Sequence, residues 1–254
     1  MFKKLLPVAC AVLLFPSGVQ AEETRLSVRA LTQDAKFIGT SMAGMAVVIE
    51  DADTGEILDT GVTEGTTGNT DRILFEDRGR YEARHTPGSA VYDAVLEIEK
   101  PRRVRVTVKG PIGQPQAMAE ASSTRWVLPG RHVTGGDGWL LVVPGFAVDV
   151  LAPGAHRYFD GVPGSVDVTA NVVMICGCPT EPGGTWDADA IEVVATVTRE
   201  GAEPVSYPLA YAGRQSTYTA PVAAEAKGVY QVLVTAFDPR NGNSGVDRTI
   251  FIVR

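Results

Sequence analysis

Val104-Arg105-Val106-Thr107-Val108-Lys109-Gly110-Pro111 decides the fold class. Three valines alternate with Arg105, Thr107 and Lys109, the two-residue period of an extended chain with one face in a core and the other in water. Gly110-Pro111 then ends the strand, because proline has no amide to give to a ladder. Upstream, apolar segments at 26–31, 45–50, 56–62 and 94–98 are each strand-sized and are cut apart by turn signals. Asp51-Ala52-Asp53-Thr54-Gly55-Glu56 lies between two of them and reads as a hairpin turn, with Gly55 free to take positive φ. Downstream, segments at 140–143, 146–151, 166–175, 191–198, 205–211, 216–220, 230–237 and 249–253 continue the pattern. The expectation is an all-β protein of two antiparallel β-sandwich domains in tandem.

Composition agrees. The 254 residues include 27 glycines and 16 prolines among many valines and threonines, the makeup of strands joined by tight turns. Met1-Phe2-Lys3-Lys4, the apolar run from Leu5 to Phe15 and the small residues up to Ala21 read as a secretory leader cut after Ala21, too short to span a bilayer. Loss of Lys3 and Lys4 from 23 basic side chains leaves 21 against 30 acidic, a net charge of −9. That balance repels polyanions, so nucleic acid is excluded as a partner, and no later segment is long and apolar enough for a membrane helix. Residues 22–152 are expected to form the first sandwich, the turn-rich stretch 153–164 a linker, and 165–254 the second sandwich. A leader places the protein in the periplasm of a Gram-negative bacterium.

Two resemblances refine the fold without giving an activity. Val47-Val48-Ile49-Glu50-Asp51-Ala52-Asp53-Thr54-Gly55-Glu56-Ile57-Leu58 resembles the early hairpin of transthyretin-like, carboxypeptidase-regulatory-like sandwiches. Tyr207-Pro208-Leu209-Ala210-Tyr211-Ala212-Gly213, then Ser216-Thr217-Tyr218-Thr219-Ala220, then Gly228-Val229-Tyr230-Gln231-Val232-Leu233-Val234-Thr235-Ala236-Phe237-Asp238 is similar to the late half of bacterial Ig-like modules. Unlike antibody domains, the chain has no widely spaced cysteine pair to bridge two sheets.

Chemistry concentrates in Met174-Ile175-Cys176-Gly177-Cys178-Pro179. In an extended segment Met174, Cys176 and Cys178 share a face, and three soft sulfur donors suit Cu(I), with His132 or His156 as a further ligand from elsewhere. The alternatives are a structural or labile disulfide, which an oxidising compartment favours, and thiol exchange. Thioredoxin-type spacing is absent, as is a second Cys or His pair at zinc-finger spacing. The three histidines, His85, His132 and His156, come without a nucleophile-elbow motif. Asp51/Asp53 and Asp187/Asp189 lack the spacing of an EF-hand loop. Trp126 and Trp139 flank a glycine-rich loop, read as a long turn with buried aromatic ends or, more sharply, as a carbohydrate or peptide site. The function expected is therefore non-enzymatic: a periplasmic binding or accessory protein handling copper, or alternatively an Ig-like module that recruits a protein partner while the cysteines pin a loop.

Overall fold

The computed structural model describes residues 20–254, so the expected leader lies, through residue 19, outside the described residues. Val104, Val106 and Val108 are all buried and belong to strand β5 (Arg102–Gly110). β5 sits in a four-stranded sheet with β2 (Ala46–Asp51), β3 (Ile57–Val62) and β6 (Ala119–Val127), in the order β3-β2-β5-β6. Its outward side chains pair across the sheet, Arg105 with Glu50 at 2.7 Å and Arg103 with Asp53 at 3.3 Å. The facing sheet is β4-β1-β7, built from β1 (Glu22–Thr32), β4 (Tyr92–Ile98) and β7 (Trp139–Val143). The hairpin at 51–56 forms as expected: Asp51 Oδ1 accepts from the amides of Asp53 and Thr54, and Gly55 takes φ +74°.

The second sandwich faces a four-stranded sheet, β13-β14-β10-β8, with a five-stranded one, β12-β11-β15-β16-β9. The first contains β8 (Phe146–Ala152), β10 (Gly164–Met174), β13 (Ala210–Tyr211) and β14 (Thr217–Ala224). The second contains β9 (Arg157–Phe159), β11 (Glu192–Arg199), β12 (Val205–Pro208), β15 (Gly228–Phe237) and β16 (Ser244–Val253). In β15 the inward residues Tyr230, Val232, Val234 and Ala236 are buried, and the Tyr230 ring stacks on Phe251 at 4.7 Å. The fold class is thus an all-β pair of sandwiches. Two pairings depart from a purely antiparallel pattern, since β7 lies parallel to β1 and β9 parallel to β16.

The expected division at 152/153 is corrected by strand pairing. β8 hydrogen-bonds along β10, from Met174 against Phe146 to Ala170 against Val150 and, after a register shift, Thr169 against Ala152, so it belongs to the second sandwich. The crossing comes at Pro144-Gly145, where Gly145 takes φ +124° and no side chain is needed. Nor is 153–164 a free linker, because it contributes β9 and the first residue of β10. One continuous apolar cluster runs from Leu26 and Val104 in the first sandwich through Met42, Phe146 and Ile175 to Phe251 in the second.

The two sandwiches meet around a turn of the first. Thr32 N donates to Lys36 O and Ala35 N to Thr32 O, which makes a tight turn over 32–36 at the end of β1. Loops of the second sandwich receive it. Trp186 Nε1 donates to Asp34 O at 3.0 Å, Gln33 Nε2 donates to Asn241 O at 2.9 Å, and Asn243 Nδ2 donates to Gln33 O at 3.1 Å. Asn243 is fully buried and its Oδ1 accepts from Gly145 N, so a single amide joins the crossing to the turn.

Candidate functional site

β10 carries a buried row, Val166, Val168, Ala170, Val172 and Met174, on one face. The chain does not stay extended beyond it. Gly177 N donates to Met174 O at 2.7 Å, Met174 N donates to Cys178 O at 2.9 Å, and Val173 is bridged to Pro179, so residues 175–177 form a tight reversal. Gly177 makes it feasible with φ +84°, a conformation that costs an L-residue about 1–2 kcal/mol. The expectation of three sulfurs along one extended edge is corrected accordingly. Met174 completes the β10 core row, while the turn folds Cys176 and Cys178 onto each other with their Sγ atoms 2.7 Å apart.

Both thiols are inside the protein, Cys176 at 0 % exposure and Cys178 at 3 %. Burial opposes ionisation of Cys176. Hydrogen bonds outweigh it, first from the Cys178 thiol, then from the Lys36 and Cys178 backbone amides, and hold this thiol at about 7. Cys178 is pushed up, first because it donates to Cys176 and then by burial. Of the pair, Cys176 is the thiol whose anion the surroundings favour and Cys178 the one that keeps its proton. Their neighbours are the turn at 32–36 and Met42. A Cβ built on Gly177 would lie 3.0 Å from Met42 Sδ, so the reversal packs directly on the first sandwich.

His132 and His156 are not brought to the cysteines. His132 Nδ1 accepts from Arg25 N, seven residues back along β1 from Thr32, or about 23 Å at the rise of a strand. His156 N donates to Ile250 O, while Ile175 N donates to Gly145 O beside Ser244, six residues and about 20 Å away along β16. Among the described residues no group of three or more His, Cys, Asp or Glu side chains converges in a way that could hold a metal ion. Two sulfurs bound to one soft metal at about 2.3 Å each stand about 3.8–4.6 Å apart, so the present pair would have to separate before a metal entered.

A second site lies at one end of the first sandwich. The short helix α1 (Thr70–Leu74), capped by Asn69 Oδ1 accepting from Arg72 N, opens a long segment without strands, 75–88. Asp137 fastens that segment to the glycine-rich loop: its Oδ1 accepts from the amides of Arg84 and His85 and lies 3.0 Å from His85 Nδ1. Arg29 holds its far end, donating from Nη1 to Ser89 O and Ala90 O. Between the loops is an open cleft of about 970 Å3 lined by Phe75, Arg80, Tyr81, Glu82, Arg84 and Gly136 among others. Phe75 and Tyr81 are 64 % and 84 % exposed. Neither is legible in the sequence, since isolated aromatics among charged residues show no period.

The two tryptophans part ways. Trp139 is buried, donates from Nε1 to Ser123 Oγ at 2.7 Å and packs under the Arg125 guanidinium 4.1 Å away. Trp126, on the outward face of β6, is 62 % exposed.

No protein family matches the chain, and no curated protein matches it. Among solved structures it is similar to an engineered protein, with TM-score 0.32 and 18 % identity over 45 % of this chain and 21 % of that one, so the chain spans about a fifth of that protein's length. It is also similar to the fibronectin(III)-like modules of Clostridium thermocellum CbhA, with TM-score 0.28 and 12 % identity over 94 % of this chain and 92 % of that one. A third similarity is to Titin-A168169, with TM-score 0.24 and 11 % identity over 92 % and 91 % of the two chains.

Proposed function

We propose that the protein is an exported, non-enzymatic binding module that engages another protein through the loop end of its first sandwich. The observation that carries this reading is the pair of exposed aromatic side chains, Phe75 and Tyr81, on a long segment whose backbone is fastened at Asp137 and Arg29. Aromatic anchors on a held loop lose little entropy on binding and are the residue types that dominate interface energetics. Long loops on a rigid sandwich are where such scaffolds place recognition. Export is supported by the leader-like start of the sequence.

The test is site-specific photo-crosslinking in cells, with the probe at position 81 and, as a control, at the exposed Val205 of the second sandwich. A discrete protein adduct is expected from position 81 and none from 205. Excess wild-type chain should compete it away, whereas a Phe75→Ala/Tyr81→Ala chain should not. Equal labelling from both positions, or full competition by the double variant, would refute the reading.

Copper handling through Met174, Cys176 and Cys178 ranks behind this. Met42 adds a fourth sulfur to the neighbourhood, yet the thiols at 2.7 Å stand closer together than two ligands of one metal. A Cu(I) titration of the reduced chain against a competing chelator is expected to leave the metal with the chelator.

A further inference from the structure

We propose that Cys176 and Cys178 form a reversible disulfide whose exchange is gated by docking of the 175–179 turn on the first sandwich. The turn has already done the geometric work. Two residues apart, the cysteines cannot lie more than about 7 Å from each other at Cα even in an extended chain, and the reversal closes their sulfurs to 2.7 Å, inside ordinary nonbonded contact. Gly177, with φ +84°, permits that closure. The turn of the first sandwich lies against the pair, and its Lys36 amide favours a sulfur anion at either cysteine. Thr32 Oγ1 is buried and makes no oriented hydrogen bond among the described residues, so a donor is held in reserve beside the attacking sulfur.

The exchange balances with a disulfide-bearing oxidant, such as oxidised glutathione or an exported dithiol oxidase. The Cys176 thiolate attacks one sulfur of the donor, forming a mixed disulfide and expelling the first donor thiolate, which takes up the proton Cys176 lost. Cys178 then gives up its proton and displaces the second donor thiolate, which leaves as a thiol. The dithiol loses two electrons, the donor gains them, and the Cys176–Cys178 bond replaces the donor's. At 0 % and 3 % exposure neither sulfur can be reached from solvent while the turn is docked. Exchange must therefore pass through undocking from Met42 and the 32–36 turn, which Trp186 and Asn243 oppose.

Both cysteines fall on one tryptic peptide, Tyr158–Arg199, and Cys10 does not, so the experiment reads that peptide from the full chain. Protein isolated without reductant is denatured in alkylating reagent and digested. The expected peptide carries no alkyl group and lacks two hydrogens, and prior reduction restores two alkylation sites. Reduced native protein should alkylate at least a hundredfold more slowly than denatured protein, and Trp186→Phe, which removes one junction hydrogen bond, should speed the native reaction about fivefold. With oxidised glutathione, the wild type should close to the internal disulfide, whereas Cys178→Ala should accumulate the glutathione adduct on Cys176. Two free thiols after glutathione treatment, a stable adduct on the wild type, or native alkylation as fast as denatured would each overturn the proposal. The outcome in wild type does not depend on either variant folding.

Discussion

Replacing Gly177 by Ala tests whether the 175–179 turn is seated on the first sandwich in the way described. Two costs add. The backbone at φ +84° charges an L-residue about 1–2 kcal/mol. The new methyl would meet Met42 Sδ at 3.0 Å and Cγ at 3.2 Å, so a buried side chain must retreat by several tenths of an ångström. Overpacking of this kind costs about 1–3 kcal/mol, and the flexible thioether end favours the low end. The sum, about 2–4 kcal/mol, corresponds to a fall in Tm of roughly 4–16 °C for a chain of this size. Gly213→Ala is the control, because Gly213 has φ +72° with nothing within 4 Å and carries the backbone cost alone. The difference between the two variants isolates the contact with Met42. Met42→Ala should itself cost about 2–5 kcal/mol but, by vacating the space, should make Gly177→Ala cheaper by about 1 kcal/mol in the double variant. Denaturant unfolding of the four proteins provides the cycle. Equal losses for Gly177→Ala and Gly213→Ala, or strict additivity with Met42→Ala, would show that the turn is not packed on Met42.

Four further outcomes follow from other contacts. Thr63 is buried, donates to Ile38 O and accepts from Met45 N, both at 2.9 Å, so Thr63→Val should strand two backbone groups and cost about 2–4 kcal/mol in urea unfolding, while Thr63→Ser should cost less. The Arg240 guanidinium, at 2.9 and 2.7 Å, holds the Asp238 carboxyl below its ordinary 3.8. Because the folded value is depressed, this stabilisation is complete above the unfolded pKa and is lost as pH falls through the folded one; Asp238→Asn should flatten the acid limb of stability against pH below about 4. Asn243→Asp would set a carboxylate oxygen 3.1 Å from Gln33 O and remove a donor between the sandwiches. A loss of about 2–4 kcal/mol at neutral pH is expected, partly recovered in acid when the carboxyl can donate, and a pH-independent loss would contradict it. Arg29→Met should strand Ser89 O and Ala90 O and weaken crosslinking at position 81 more than it lowers Tm; the reverse ranking would separate that arginine from the cleft.

Strands with one dry face were legible because burial imposes a period. β5, β10 and β15 lie within a few residues of where alternation placed them. β6 is not legible in this way, for a physical reason: an edge strand that covers little core needs few large apolar residues, and Ala119-Glu120-Ala121-Ser122-Ser123-Thr124-Arg125-Trp126 turns only the small Ala119 and Ala121 inward as apolar side chains. The inward positions Ser123 and Arg125 are instead matched to the Trp139 ring, a complementarity visible only once β7 is in place. The domain division failed differently. Pro153-Gly154 marks a real turn, but turn formers report where a chain bends, and which sheet the next strand joins is settled by pairing partners far away in sequence.

The cysteine pair shows how far local chemistry can be read without the tertiary frame. Its spacing limited the options to metal, disulfide and exchange, and Gly177 already allowed a reversal as readily as an extended run. The choice between them depends on Met42, Thr32 and Lys36, which no motif connects to Cys176. Once the turn is docked, an extended row of donors is lost and a closed sulfur pair with one acidified member is gained. The same contact that brings the sulfurs together also hides them. A site whose reactive atoms are assembled by an interface can be reached only when that interface opens, so the thiol chemistry of this protein is bound to the docking of its two sandwiches.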